Sequence, residues 1–280
     1  MNIVFLSGKG GTGKTTVSTN VAYLNSFNYI DCDVEEPNGH IFLKPEYNEI
    51  IKSGILNPVI DEEKCTLCNA CVENCQFGTL ANTGEKLLIF NELCHGCGTC
   101  AISCNFDAIK EEKRVIGKIE KGIYEKGEFI RGVLNLKEPL AVPLIKDVKN
   151  LIKTNETNII DAPPGSSCTV VETLEETDYA VLVTEPSAFG LSDLKQVVTV
   201  VHQMRVPFGV IINTGNDENN IITTYLEEEN IDLIGVIPYS MKAAQLYSKG
   251  DLLIKDHELS KIFANLSQEL MQRVITNGKN

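Results

Sequence analysis

The stretch Ser7-Gly8-Lys9-Gly10-Gly11-Thr12-Gly13-Lys14-Thr15-Thr16 constrains this chain more than any other. Asn2–Leu6 before it reads as a short buried strand. After it, Val17, Val21, Ala22 and Leu24 recur at helical spacing. Gly8 to Thr15 gives G-x-x-x-x-G-K-T in full, and strand, glycine loop and helix are the context in which that pattern binds nucleotide phosphates. Glycines let consecutive N–H groups turn inward around phosphate oxygens, and the helix N-terminus adds its positive dipole end. Lys14 suits the β- and γ-phosphates as a point charge, and the Thr15 hydroxyl suits Mg²⁺. A glycine-rich turn that binds nothing would not need all three parts in this order. ATP and Mg²⁺ are therefore the expected ligands, with Gly10, Gly11, Thr12, Gly13 and Thr16 completing the loop.

The rest of the composition narrows the class. The 280 residues allow one large domain or two smaller ones. With 43% hydrophobic and 22% charged residues, the chain reads as soluble and globular. Its net charge of -13 argues against a nucleic-acid partner, which needs clustered Lys and Arg. No run of about eighteen apolar residues predicts a membrane helix, and the N-terminus lacks a basic, cleavable leader, so a cytoplasmic location is expected.

Acids recur at predicted strand ends. Asn28-Tyr29-Ile30-Asp31-Cys32-Asp33 is one case, and Asn158-Ile159-Ile160-Asp161-Ala162-Pro163-Pro164-Gly165 is the other. Polar groups at the carboxyl ends of strands suit an α/β ligand site. Further strands are expected at 179–184, 207–213 and 233–237, and helices at 190–204, 218–229, 241–248 and 257–275. This alternation predicts an α/β fold, a mostly parallel sheet with helices on both faces. Asn213 stands at a strand end, where it suits either a ligand contact or the turn that Thr-Gly would make.

Eight of the ten cysteines fall in two copies of one pattern: Cys65, Cys68, Cys71, Cys75 and then Cys94, Cys97, Cys100, Cys104. This C-x₂-C-x₂-C-x₃-C run is the bacterial spacing for [4Fe–4S] clusters, in which the fourth cysteine serves the other cluster. The expected sets therefore cross: Cys65, Cys68, Cys71 and Cys104 for one cluster, and Cys94, Cys97, Cys100 and Cys75 for the other. Structural zinc, which uses paired C-x-x-C units, fits a triple-plus-one pattern badly. The proline usual after the fourth cysteine is replaced by Gln76 and Asn105. The module is expected at 59–114, inserted into a discontinuous nucleotide-binding domain of 1–58 and 115–280. Glu111–Arg131 reads as a surface hairpin returning to the sheet. Cys32 reads as a small buried filler.

The segment KGGTGKT, with its extra Lys9, resembles the deviant phosphate loop of the ParA/MinD ATPases. That group also holds the nitrogenase iron protein and Mrp-type iron–sulfur carriers. The whole order of parts is like the MinD-superfamily ATPases that carry an inserted two-cluster ferredoxin-like domain. The resemblance implies a P-loop NTPase fold and Mg-ATP hydrolysis. It also implies a dimer, with itself or a related ATPase, in which Lys9 reaches the partner's nucleotide. By the same resemblance Asp33 positions water or Mg²⁺, Asp161 holds Mg²⁺, Gly165 senses the γ-phosphate and Asn213 reads the adenine edge. Cys168, seven residues past Asp161, matches a cluster cysteine of the iron protein, although a buried or interface thiol is the simpler role.

Three functions follow. One is ATP-driven electron transfer to a redox or metallocofactor-assembly partner. The alternative is a cluster carrier or scaffold of the Mrp type. The third is a MinD-like spatial organiser, which would need a basic amphipathic membrane helix. Here the stripe Leu259, Ile262, Phe263, Leu266, Leu270 and Val274 faces few lysines and reads as packed on the core, so no membrane partner is expected.

Overall fold

The segments Ile3–Leu6, Tyr179–Val183 and Val210–Ile212 are unbroken, buried apolar runs, as strands covered on both faces require. In the computed structural model, which describes residues 1–215 and 221–277, the chain opens with β1 (Asn2–Leu6), α1 (Lys14–Asn25), β2 (Asn28–Asp31) and α2 (Gly39–Leu43). Next come β3 (Glu46–Ile60), α3 (Ala70–Glu73), β4 (Leu80–Asn82), β5 (Leu87–Ile89) and α4 (Thr99–Ile102). The hairpin β6 (Ile109–Tyr124) and β7 (Gly127–Leu134) follows, then α5 (Val142–Lys149), β8 (Asn158–Asp161), α6 (Cys168–Leu174) and β9 (Tyr179–Thr184). The remainder is α7 (Ala188–Met204), β10 (Phe208–Asn213), α8 (Ile221–Glu228), β11 (Leu233–Ile237), α9 (Met241–Ser248) and α10 (His257–Asn277). Residues 218–220 of the helix expected at 218–229 lie outside the described residues.

The main sheet has nine strands in the order β11-β10-β9-β1-β8-β2-β7-β6-β3. From β11 through β7 every pairing is parallel. This is the expected α/β P-loop architecture, a large, mostly parallel sheet with helices. One expectation needs correcting. The hairpin expected over Glu111–Arg131 forms as β6 and β7 and does join the sheet, but it is not on the surface: Phe129 and Ile130 are buried, and β7 pairs in parallel with β2, Tyr29 opposite Phe129. The Lys and Glu content of β6 suggested exposure. Within its second half, however, Ile116, Ile119 and Tyr124 are buried between those charges.

The chain divides into two compact units. The first takes Met1–Ile50, Ile119–Val133 and Ile145–Asn280, and the second takes Ile51–Lys118 and Leu134–Leu144. The expected module, 59–114, falls within the second unit, which extends further at both ends. In the first unit the core joins Ile3, Phe5, Val17, Tyr29, Val181 and Ile211 to the apolar face of α10. That face is Leu259, Phe263, Leu266, Leu270 and Val274, each at most 5% exposed, with Ile262 partly buried beside them. Burying such side chains is worth roughly 2 kcal/mol each, enough to hold the helix on the sheet. In the second unit a small core of Cys71, Leu80 and Ile109 is flanked by Cys75, Cys100 and Cys104. Among the described residues no helix is long and apolar enough to cross a membrane.

Candidate functional site

The central strand β1 lies between β8 and β9, and β2 lies beyond β8. The chain leaves β1 at Leu6 and turns through the glycine loop into α1. Gly11 and Gly13 take φ of 85° and 88°, values that side chains with a Cβ rarely adopt. Gly13 has a second constraint, since a Cβ there would stand 2.2 Å from Asn213 Nδ2. Gly8 is held by packing, its Cβ position being 2.4 Å from the Asp193 carbonyl oxygen on α7.

Register places the acids. Asp31 and Asp161 are direct neighbours at the ends of β2 and β8. Asp161 is fully buried: its Oδ1 accepts from Lys14 Nζ at 2.6 Å, and its Oδ2 accepts from Thr15 Oγ1 at 2.6 Å and from Tyr29 Oη at 3.0 Å. Tyr29 in turn bonds the Ser18 hydroxyl at 2.9 Å. Asp31 accepts from the Gly39 and Asp33 amides.

The electrostatics follow from burial and crowding. Burial and the Asp161 charge push Asp31 well above the ordinary carboxylate range. Burial pushes Asp33 up to about 6, against the pull of Lys14. Burial disfavours the Lys14 charge, but Asp161, Asp33 and Asp31 outweigh it and hold the ammonium above its usual value. Burial and Asp161 also push the Tyr29 phenol well up. One lysine faces three acids. That surplus of oxygen donors, with the Thr15 hydroxyl among them, suits a hard divalent cation such as Mg²⁺. Among the described residues the Thr12 hydroxyl, 4% exposed as a residue, has no hydrogen-bond partner.

A pocket of about 390 Å³ opens over this cluster, lined by the loop from Gly10 to Thr16 and by Asp33, Asn213, Pro238 and Tyr239. Its size and mix of apolar and polar walls are those of a small-molecule site. Gly165, at φ 96°, donates its amide to the Ser7 carbonyl at 2.8 Å, which brings it beside the loop. Asn213 donates to the Thr12 carbonyl at 2.8 Å while lining the pocket, so it props the loop as well as facing the cavity. Lys9 pairs within its own chain with Glu185, just past β9, and that bond raises the lysine's pKa. Cys32 is buried, with its thiol pushed up by burial. Cys168 is exposed at the first position of α6.

Sequence reasoning missed Tyr29, Ser18 and Glu185. Tyr29 stood only as part of a strand motif, and Ser18 and Glu185 belong to no motif. An Asp partner across the sheet is visible only once register is known.

The second unit gathers the eight motif cysteines around two small pockets. One is lined by Cys65, Cys68, Cys71 and Cys104, the other by Cys75, Cys94, Cys97 and Cys100. The two motif copies repeat in backbone as well as sequence: Leu67 and Gly96, Asn69 and Gly98, and Gly78 and Asp107 all have positive φ. Backbone N–H groups of Thr79 and Ala108 donate to Cys75 Sγ at 3.4 Å and Cys104 Sγ at 3.3 Å. The Phe77 and His95 rings stack at 3.8 Å beside the second pocket. Among the described residues no three His, Cys, Asp or Glu side chains form a group that would hold a single metal ion. A single zinc draws its thiolates to about 2.3 Å from one centre, whereas a four-iron core spreads them over four corners. Each pocket has four thiols in its lining, the number a [4Fe–4S] cluster takes.

Comparison with known proteins agrees with this geometry. Residues 3–254 match the family described as CobQ/CobB/MinD/ParA nucleotide binding domain. An uncharacterized protein of Methanocaldococcus jannaschii, MJ0579, is 33% identical over 92% of this chain and 93% of its own length. A protein of the same organism named iron-sulfur cluster carrier protein is 21% identical over 97% of this chain and 84% of its own. Its namesake from Pyrococcus horikoshii is 27% identical over 49% and 52%. Among solved structures, the Pyrococcus horikoshii septum site-determining protein MinD, complexed with Mg-ADP, superposes over 100% of this chain and 99% of its own, with TM-score 0.62 and 17% identity. Fold, loop and family match converge, and the chain belongs to the CobQ/CobB/MinD/ParA nucleotide-binding family.

Proposed function

We infer that this chain is an Mg-ATP-hydrolysing iron–sulfur protein that handles clusters under nucleotide control, as a carrier or scaffold. The observation that carries it is the sorting of eight cysteines into two four-cysteine pockets on a chain whose family binds nucleotide. Relatives named iron-sulfur cluster carrier protein support the carrier role over a purely electron-transferring one.

The residues fit the ligands. Lys14 and the amides of the glycine loop would take the phosphates. Thr15 and Asp161 would hold Mg²⁺, which supplies positive charge to the phosphate oxygens. A bound phosphate would compete with Asp161 for Lys14, which would free the carboxylate to hold the cation. Asp33, poised by burial, orients and deprotonates water. Lys9 acts across a dimer, with a second copy or a related ATPase. The two cysteine sets would each hold a [4Fe–4S] cluster, in an inserted ferredoxin-like module.

A second reading, delivery of low-potential electrons, is favoured by one observation. Cys71 and Cys94 are 7% exposed, and Cys71 sits in the small core of its unit. Ligands built into a core favour clusters that stay.

The test is to load the chain with iron and sulfide without oxygen, then add the apo form of a [4Fe–4S] enzyme, with and without MgATP. Nucleotide-dependent activation of the acceptor with matching iron loss supports the carrier. Full retention of iron, with EPR signals that respond to MgATP, moves the function to electron delivery. A chain that takes up no iron overturns both.

A further inference from the structure

The two cysteine pockets share one backbone plan but not one set of sulfur partners. Residues correspond across the repeat at a constant offset, so Thr79 matches Ala108 and Thr99 matches Ala70. The backbone donors repeat, as Thr79 and Ala108 show. The hydroxyls do not. Thr79 Oγ1 lies 3.2 Å from Cys75 Sγ, where either atom can donate, and the free Cys97 thiol donates to Thr99 Oγ1 at 3.4 Å. Both sulfurs belong to the set with Cys94 and Cys100, and both threonines line that pocket. Their counterparts Ala70 and Ala108 line the other and offer only methyl groups.

A cluster thiolate can only accept, so each hydroxyl must donate to it. Reduction adds an electron whose charge spreads onto the sulfurs, and donors to sulfur favour the more negative state. Glu111 also lines the threonine-bearing pocket and opposes this. Its carboxylate is exposed and screened by water, whereas the hydroxyls touch the sulfurs themselves.

We propose that Thr79 and Thr99 make the cluster site of Cys75, Cys94, Cys97 and Cys100 the higher-potential of the two, so that the first electron rests there. This rests on the two-cluster part of the reading above, which the carrier and electron-delivery roles share.

The experiment is an EPR-monitored reductive titration of the full chain, loaded without oxygen, as wild type, Thr99→Ala, Thr79→Val/Thr99→Ala and Ala70→Thr. Wild type should give two separated midpoints. The double variant should lower only the upper one, by about tenfold in the one-electron equilibrium, close to 59 mV. Thr99→Ala should lower it by less, and Ala70→Thr should raise only the lower one. Ala70 and Thr99 are partly exposed, so those two variants keep the test sound if the buried Thr79 change impairs loading. Coincident wild-type midpoints, or unmoved midpoints in fully loaded variants, overturn the inference and leave the cluster reading standing. A wild-type chain that binds no iron removes both.

Discussion

Asp161 holds Lys14 at 2.6 Å with one oxygen and shares the other between Thr15 and Tyr29. The residue that would meet the cation is therefore fixed by three donors, two from α1 and one from the neighbouring strand β2. Tyr29→Phe removes one of them and leaves the Ser18 hydroxyl only the Thr15 carbonyl. We expect a loss of about 1–2 kcal/mol, read as a lower urea midpoint at unchanged slope. The affinity for MgATP should fall a few-fold as the carboxylate gains freedom.

Asp33 gives a pH prediction with a definite sign. Its folded pKa of about 6 lies above the ordinary value near 3.9. The folded chain therefore keeps a proton that the unfolded chain has lost, and stability falls as pH rises from about 4 to 6. Above that window the cost levels off at about 3 kcal/mol. Asp33→Asn should raise the melting temperature of the nucleotide-free protein at pH 7.5 and show little gain at pH 4. ATP turnover in the wild type should rise through pH 6, and in the variant it should be at least about tenfold lower at every pH.

Lys9 is paired with Glu185 of its own chain, so reaching a partner's nucleotide requires breaking that bond. Glu185→Gln should raise ATP turnover per chain a few-fold and shift its concentration dependence to lower protein levels. Lys9→Ala should reduce turnover by about tenfold or more, in line with the worth of an inserted cation at a transferring phosphate. If turnover proves independent of protein concentration in wild type and both variants, the role across a dimer is wrong.

Cys104 lines the pocket of Cys65, Cys68 and Cys71, not that of its own motif copy. Cys104→Ser should cost the cluster of the first copy, and Cys75→Ser that of the second. Each variant, loaded without oxygen, should hold about half the wild-type iron, and the two should lose different EPR signals. Uncrossed ligation would exchange those losses.

Much of the nucleotide site was legible because its chemistry is local. The loop from Gly8 to Thr16 needs only its own sequence, and the strand ends at Asp31 and Asp161 follow from apolar runs meeting an acid. The sheet order was not legible, because β2 sits between β8 and β7 by pairings that no local pattern encodes. For the same reason Tyr29 stood only as part of a strand motif, and charged β6 looked like a surface hairpin although its alternate residues are buried. The cysteine sets could be read because a repeat of fixed spacing leaves little freedom. The unequal threonines inside that repeat mattered only once their hydroxyls were seen beside sulfur.

The pairing of Tyr29 with Phe129 also bears on how the molecule forms. These neighbouring strands are separated in sequence by a hundred residues, and closing so long a loop costs entropy that grows as the logarithm of its length. A folded intervening unit shortens the effective loop. Since clusters would brace that unit, the metal-free chain should complete its sheet more slowly than the loaded one, and iron supply would then set the pace at which the ATP-binding half becomes competent.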